Sequence, residues 1–183
     1  RIGLGNCYKV GLWTPVELTL RGGSEALTGQ VVVGTEDGDG IICQTMTPEG
    51  ACQVLPGRET SVTVYVRFGH ANAELRATFL ANGRKVCDEK FDVNLLNVTS
   101  IESQDLILCI GRTSVGAEEA ASLVKSKARG NSLFDAAAVA RLDNVDHLPT
   151  RWYGYEGIDT IVISTSRPEL FNKLTPESPR IAA

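Results

Sequence analysis

The residues of this chain best suited to holding a ligand stand in the run Gly111-Arg112-Thr113-Ser114-Val115-Gly116. An apolar strand pattern precedes the run and a helical pattern follows it. It therefore opens a helix N-terminus, whose free N–H groups would hold an anion, with Arg112 adding positive charge and Thr113 and Ser114 adding hydroxyls. The same hydroxyls serve equally as N-caps, and the turn is then purely structural. A second group is Trp152, Tyr153 and Tyr155, close together on a loop. Side chains of this kind stack on sugars or peptides, or else pack as a lid on a sheet edge or in a seam between domains. Neither group is a catalytic constellation. GxSxG, HExxH, a phosphate-binding P-loop and GxGxxG after a strand are all missing, so no catalytic residue is assigned.

Metal chemistry has little footing. Cys7, Cys43, Cys52, Cys87 and Cys109 include no CxxC, and only His70 and His147 could join them, so neither a zinc site nor a cofactor is expected. Glu36-Asp37-Gly38-Asp39-Gly40 offers several oxygens to a calcium ion but lacks the closing Glu of an EF-hand loop. Asp-Gly pairs suit the positive φ of tight turns, so a solvated hairpin turn is expected there. Cys109 lies in the apolar run Leu106-Ile107-Leu108-Cys109-Ile110 and reads as core. Cys43 and Cys52 flank a loop with Pro48 and Gly50, leaving a hairpin disulfide open as an alternative to buried free thiols. His70 and His147 read as surface or loop-packing residues, and Trp13 as core.

The elements that must position these residues follow two periodicities. Over residues 1–100 apolar residues alternate in short runs bounded by turn formers, as in Val62, Val64 and Val66 against Thr63, Tyr65 and Arg67. Strands are expected near 16–21, 29–35, 40–44, 52–55, 62–67, 73–80 and 86–93. Seven strands at this spacing predict an antiparallel β-sandwich of immunoglobulin-like type. Beyond residue 100 the pattern changes to a continuous apolar strand at 105–111, a helical stretch at 117–128, a weaker strand at 136–142, a strong one at 157–164, and Pro168 at a helix start. That is a three-layer α/β pattern with a parallel sheet. Three strands are few for such a sheet, so the 101–183 domain is expected to be partial.

Composition removes whole classes of function. With 18 Lys and Arg against 22 Asp and Glu in 183 residues, spread evenly over both halves, no part is basic enough to favour nucleic acid. No apolar run approaches the roughly 18 residues of a membrane span, so any membrane attachment would come through an anchor outside this sequence. The chain starts at Arg1 without an initiator Met and stops at Ala183 after an incipient helix, so both ends are expected to be cut. An exposed parallel-sheet edge would favour a homodimer.

Two segments carry a resemblance. Gly5-Asn6-Cys7-Tyr8-Lys9-Val10-Gly11-Leu12-Trp13-Thr14-Pro15-Val16, followed by Leu27-Thr28-Gly29-Gln30-Val31-Val32-Val33, resembles the start of a group of large bacterial cell-envelope proteins found in planctomycetes and some Gram-positive bacteria. Leu148-Pro149-Thr150-Arg151-Trp152-Tyr153-Gly154-Tyr155, running on through Gly157 to Ser164, resembles their second segment. The resemblance implies a signal peptide, an immunoglobulin-like sandwich, a flavodoxin-like domain related to class I glutamine amidotransferases, and often a membrane anchor. It implies an exported location, periplasmic or extracellular. No catalytic Cys or His carries over, and Cys109, inside the first α/β strand, is misplaced for the nucleophile.

The expectation is thus a non-catalytic interaction or structural module of an exported envelope protein, with a protein or the rest of the full-length chain as partner. Two alternatives stand beside it. One is an amidotransferase-like or hydrolase-like enzyme whose catalytic residues lie beyond residue 183. The other is a carbohydrate- or peptide-binding module using Trp152, Tyr153 and Tyr155.

Overall fold

A computed structural model describes residues 1–111, 116–120, 137–165, 168–174 and 178–182. The chain divides into two compact units, one of residues 1–2 and 10–98, the other of residues 3–9 and 99–183.

The first unit is antiparallel throughout. Strands β2 (Trp13–Arg21) and β6 (Glu59–Arg67) pair along their whole length, from Trp13 opposite Arg67 to Arg21 opposite Glu59. A second sheet has the order β4 (Ile42–Met46), β3 (Leu27–Glu36), β7 (Glu74–Ala81), β8 (Arg84–Asp92), and β5 (Cys52–Val54) pairs with the start of β3. The expected alternation holds in β6, where Val64 and Val66 are buried while Thr63 and Arg67 are exposed. On the five-stranded sheet Val31, Val33 and Thr35 lie opposite Phe79, Ala77 and Leu75, and this odd-numbered face is the core side. Each fully buried valine there contributes on the order of 1.5–3 kcal/mol. The period-2 pleat sends Val32, Gly34 and Glu36 to the other face.

Turn chemistry fixes the registers. Asn82 and Gly83 both take positive φ, 51° and 71°, and link β7 to β8 in a two-residue hairpin of the type whose twist matches the strands. Between β3 and β4 the Asp37 carboxylate accepts from the N–H groups of Asp39 and Ile41, each at 2.9 Å. Both bonds go to Oδ1, which is thereby committed to the turn, and the Ile41 N–H foremost holds the carboxyl below the usual carboxylate range. The expected hairpin turn is what forms. Beyond Phe79 the register with β8 slips by one residue, leaving Val86 as a bulge.

In the second unit β10 (Leu106–Ile110) is the centre of a parallel three-stranded sheet, between β11 (Ala138–Leu142) and β12 (Thr160–Ile163). Leu106, Leu108 and Ile110 are buried, as a continuous apolar run requires. On the same face of β12, Ile161 and Ile163 remain 45% and 48% exposed. A short parallel pair joins β1 (Cys7–Lys9) to β9 (Thr99–Ile101), bringing Leu4 and Cys7 into one core with Ile101, Leu106 and Leu148. Gly5 makes that docking close: its φ is +57°, and a Cβ there would lie 2.5 Å from the Arg141 carbonyl oxygen. Of the helix expected at 117–128, residues 117–120 are described and are helical, and Pro168 does start a short helix, Pro168–Phe171.

The cysteines remove the disulfide alternative and correct the expectation that all the thiols are buried. All five are free, and Cys43 and Cys52 sit opposite Thr35 and Gly29 of β3, six residues apart and so about 20 Å along the strand. A disulfide needs Cα atoms within about 7 Å. Moreover Cys43 and Cys87 are exposed, and only Cys7, Cys52 and Cys109 are buried thiols.

Candidate functional site

The even-numbered face of the five-stranded sheet carries a hollow lined by described residues. Because the strands are antiparallel and in register, its side chains form rows across the sheet. Gln44, Gly34, Arg76 and Lys90 make one row, and Met46, Val32, Thr78 and Asp88 the next. Gly34 lacks a side chain in the middle, so the rows enclose a hollow of about 230 Å³. Glu36, Ile42 and Glu74 close one end of it.

Its electrostatics centre on Asp88. Arg76 donates from Nε to Asp88 Oδ1 at 2.9 Å and from a terminal nitrogen to Oδ2, a two-pronged pair. Thr78, directly opposite in register, donates to Oδ1 at 2.8 Å, and Lys85 reaches Oδ2 at 3.2 Å. The Arg76 bonds foremost, then Thr78, hold the Asp88 carboxyl far below the ordinary carboxylate range. Beside this hub Lys90 pairs with Glu74 at 2.8 Å. Three acidic and three basic side chains line the hollow, so its charge balances.

The residues expected from sequence stand elsewhere. Arg112, Thr113 and Ser114 lie outside the described residues. At the carboxyl end of the central strand Gly111 donates to Leu142 O at 3.0 Å and Ser164 donates to Ile110 O at 2.9 Å. Trp152, Tyr153 and Tyr155 share a 3₁₀ turn, Trp152–Tyr155, but not one surface. Trp152 is 69% exposed and meets Tyr153 edge-on, ring centres 5.7 Å apart. Tyr155 packs on the core of its unit, its Oη 3.2 Å from the carbonyls of Pro149 and Arg180. Trp13, expected in the core, is half-buried with the Arg67 guanidinium 4.9 Å over its ring. Among the described residues no three His, Cys, Asp or Glu side chains gather as metal ligands. Nor is any described helix long and apolar enough to cross a membrane.

Sequence reasoning passed over Gly34, Gln44, Arg76 and Asp88. The signal available was the polar alternation of Glu74, Arg76 and Thr78, which marks an outward face but not a hollow.

A family model described as a domain of unknown function, DUF8726, matches residues 1–94, which includes all of β2 to β8 and hence every residue of the hollow. The chain belongs to that family. Membership in DUF8726 therefore attaches to the unit that carries the site. Among solved structures the chain is similar to a cycloisomaltooligosaccharide glucanotransferase of Paenibacillus sp. complexed with cycloisomaltoheptaose, at 14% identity and a TM-score of 0.31. That match covers 67% of this chain and 17% of the other. No curated protein matches.

Proposed function

We propose that this chain is a non-catalytic interaction module of an exported bacterial cell-envelope protein, and that it holds a polypeptide partner on the outer face of its five-stranded sheet. The observation that carries the reading is the prearranged Arg76–Asp88–Thr78 cluster beside the Gly34 hollow, bordered by exposed Ile42. A chain segment laid there meets fixed donors and acceptors together with apolar contact, at little ordering cost. In this reading the first unit is an immunoglobulin-like sandwich. The second is a partial flavodoxin-like domain, and the order β11-β10-β12 supports it, since flavodoxin-like sheets begin with their second, first and third strands in that order. The exported location rests on the resemblance of residues 5–16 and 148–164.

The test is selection of a phage-displayed peptide library on the whole chain, followed by titration against Gly34→Val, which fills the hollow. Recovered peptides are expected to bind the variant at least tenfold more weakly and to shift the amide resonances of β3, β4, β7 and β8. Equal binding to both proteins overturns the reading.

A second reading, a carbohydrate-binding module, is favoured by the exposure of Trp152. In a Trp13→Phe background, titration with soluble oligosaccharides would change the Trp152 emission, and an unchanged spectrum across the panel rejects it.

A further inference from the structure

The five-stranded sheet has two edges of opposite character. Edge strand β8 carries Arg84, Lys85, Asp88, Glu89, Lys90 and Asp92 and is bent by the bulge at Val86. Charges and bulges are the devices that keep a sheet edge from pairing with another chain. Edge strand β4 has none of them. Its sequence, Ile42-Cys43-Gln44-Thr45-Met46, holds no charge, proline or glycine, and among the described strands it pairs with β3 alone. Ile42 and Met46 are 66% and 58% exposed, on the face that carries the hollow.

We propose that β4 is a self-pairing edge, which joins a second copy of this chain in antiparallel fashion about a twofold axis at Gln44. The register argues for that occupant. A twofold axis at Gln44 sets Ile42 of one copy opposite Met46 of the other, twice over, and Cys43 opposite Thr45. Both exposed apolar side chains of the strand thereby find each other, and a neutral strand brings no like charge against its own copy. An axis one residue earlier sets Ile42 against Gln44 and loses both apolar pairs. A twofold contact closes on itself, giving a dimer and not a filament. Five paired residues a side make a small interface, so the dimer is weak. This goes beyond the peptide-binding reading and does not depend on it.

The test is a charge swap at the axis, read by sedimentation of the full chain without peptide. Gln44→Lys puts two lysines face to face, and Gln44→Glu two glutamates. Each variant alone is expected to dimerise at least tenfold more weakly than the wild type, while an equimolar mixture of the two regains dimer. The exposed position of Gln44 leaves folding intact. In a Cys43→Ser, Cys87→Ser background, oxidation of Ile42→Cys with Met46→Cys is expected to trap covalent dimer, and either change alone to trap little. A wild type that stays monomeric at millimolar concentration overturns the proposal. So does a dimer that both charge variants leave unchanged, or equal trapping by single and double variants. Asp88→Asn, on the opposite edge strand, is expected to weaken peptide binding and leave the dimer intact, so loss of peptide binding and loss of pairing are separable.

Discussion

Arg76 and Asp88 stand diagonally across β7 and β8, with the guanidinium forked onto both carboxylate oxygens and Nε 2.9 Å from Oδ1. The pair sits on the open face of the sheet, with Thr78 and Lys85 completing the carboxylate's shell. This fixes a charge where an unpaired acid would otherwise sample many positions.

The pair makes stability depend on pH with a definite sign. The Asp88 carboxyl titrates lower when folded than when unfolded, because Arg76 and Thr78 bond the ionised form. Its contribution is complete above the unfolded value of about 4 and is lost as pH falls through the folded value. Urea midpoints of wild type and Asp88→Asn are therefore expected to differ at pH 6 and to draw together progressively as pH falls below 4. A constant gap over that range removes the linkage assigned to Asp88.

Asp159 holds the second unit together at the start of two strands. Its carboxylate accepts from Lys9 Nζ and, at 2.7 Å, from the Leu106 N–H, while its own N–H bonds Leu106 O at 3.0 Å. Partial burial pushes its carboxyl up, but the Lys9 and Leu106 bonds outweigh this and leave it below the ordinary range. Asp159→Ala is expected to cost about 1–2 kcal/mol, the low end for bonds to a charged acceptor, because the side chain is 39% exposed. Trp13 and Trp152 lie in different units. The loss should thus appear in the unfolding followed by Trp152 in Trp13→Phe protein, and an unmoved Trp152 transition would remove the role assigned to Asp159.

Much of this was legible in the chain because it is local. Alternation placed β2 to β8 within a few residues of their ends, and the run 106–110 gave the central parallel strand. Pairings between distant segments were not legible. Three-residue β1 finds β9 across the whole first unit, and no periodicity of Cys7-Tyr8-Lys9 announces it. The hollow is of the same kind: Gly34, Arg76 and Asp88 come from three strands, and only their register makes them neighbours. Exposure of Cys43 and Cys87 likewise follows from which strands became edges.

Two glycines of β3 are expected to respond oppositely to a methyl group. At Gly34 an added Cβ meets Ile42 Cγ2 at 3.4 Å and Gln44 Cγ at 3.6 Å, ordinary contacts on an open face. At Gly29 it meets the Leu80 carbonyl oxygen at 2.0 Å, inside the β3–β7 ladder. Gly34→Ala should leave the melting temperature within a few degrees of the wild type, whereas Gly29→Ala should cost about 3 kcal/mol or more. Thermal denaturation of the two variants side by side checks the contrast, and equal effects would contradict the register on which the hollow depends.

The thiols give a count that depends on the fold. Cys43 and Cys87 are exposed, and Cys7, Cys52 and Cys109 are buried. A thiol reagent should modify two groups in native protein and all five in denaturant. Cys43 is further shaped by Asp37, whose Oδ2 lies 3.7 Å from its sulfur. Local desolvation first, then the negative charge of Asp37, push its thiol above the usual range, so the reactive thiolate is scarce at neutral pH. Removing that charge with Asp37→Asn should speed labelling of Cys43 several-fold while leaving Cys87 unchanged. Because Asp37 also accepts from Asp39 and Ile41, the variant could instead loosen the turn and raise reactivity at every pH. A pH–rate profile separates the two: a charge effect moves the inflection to lower pH, whereas loosening raises the plateau without moving it.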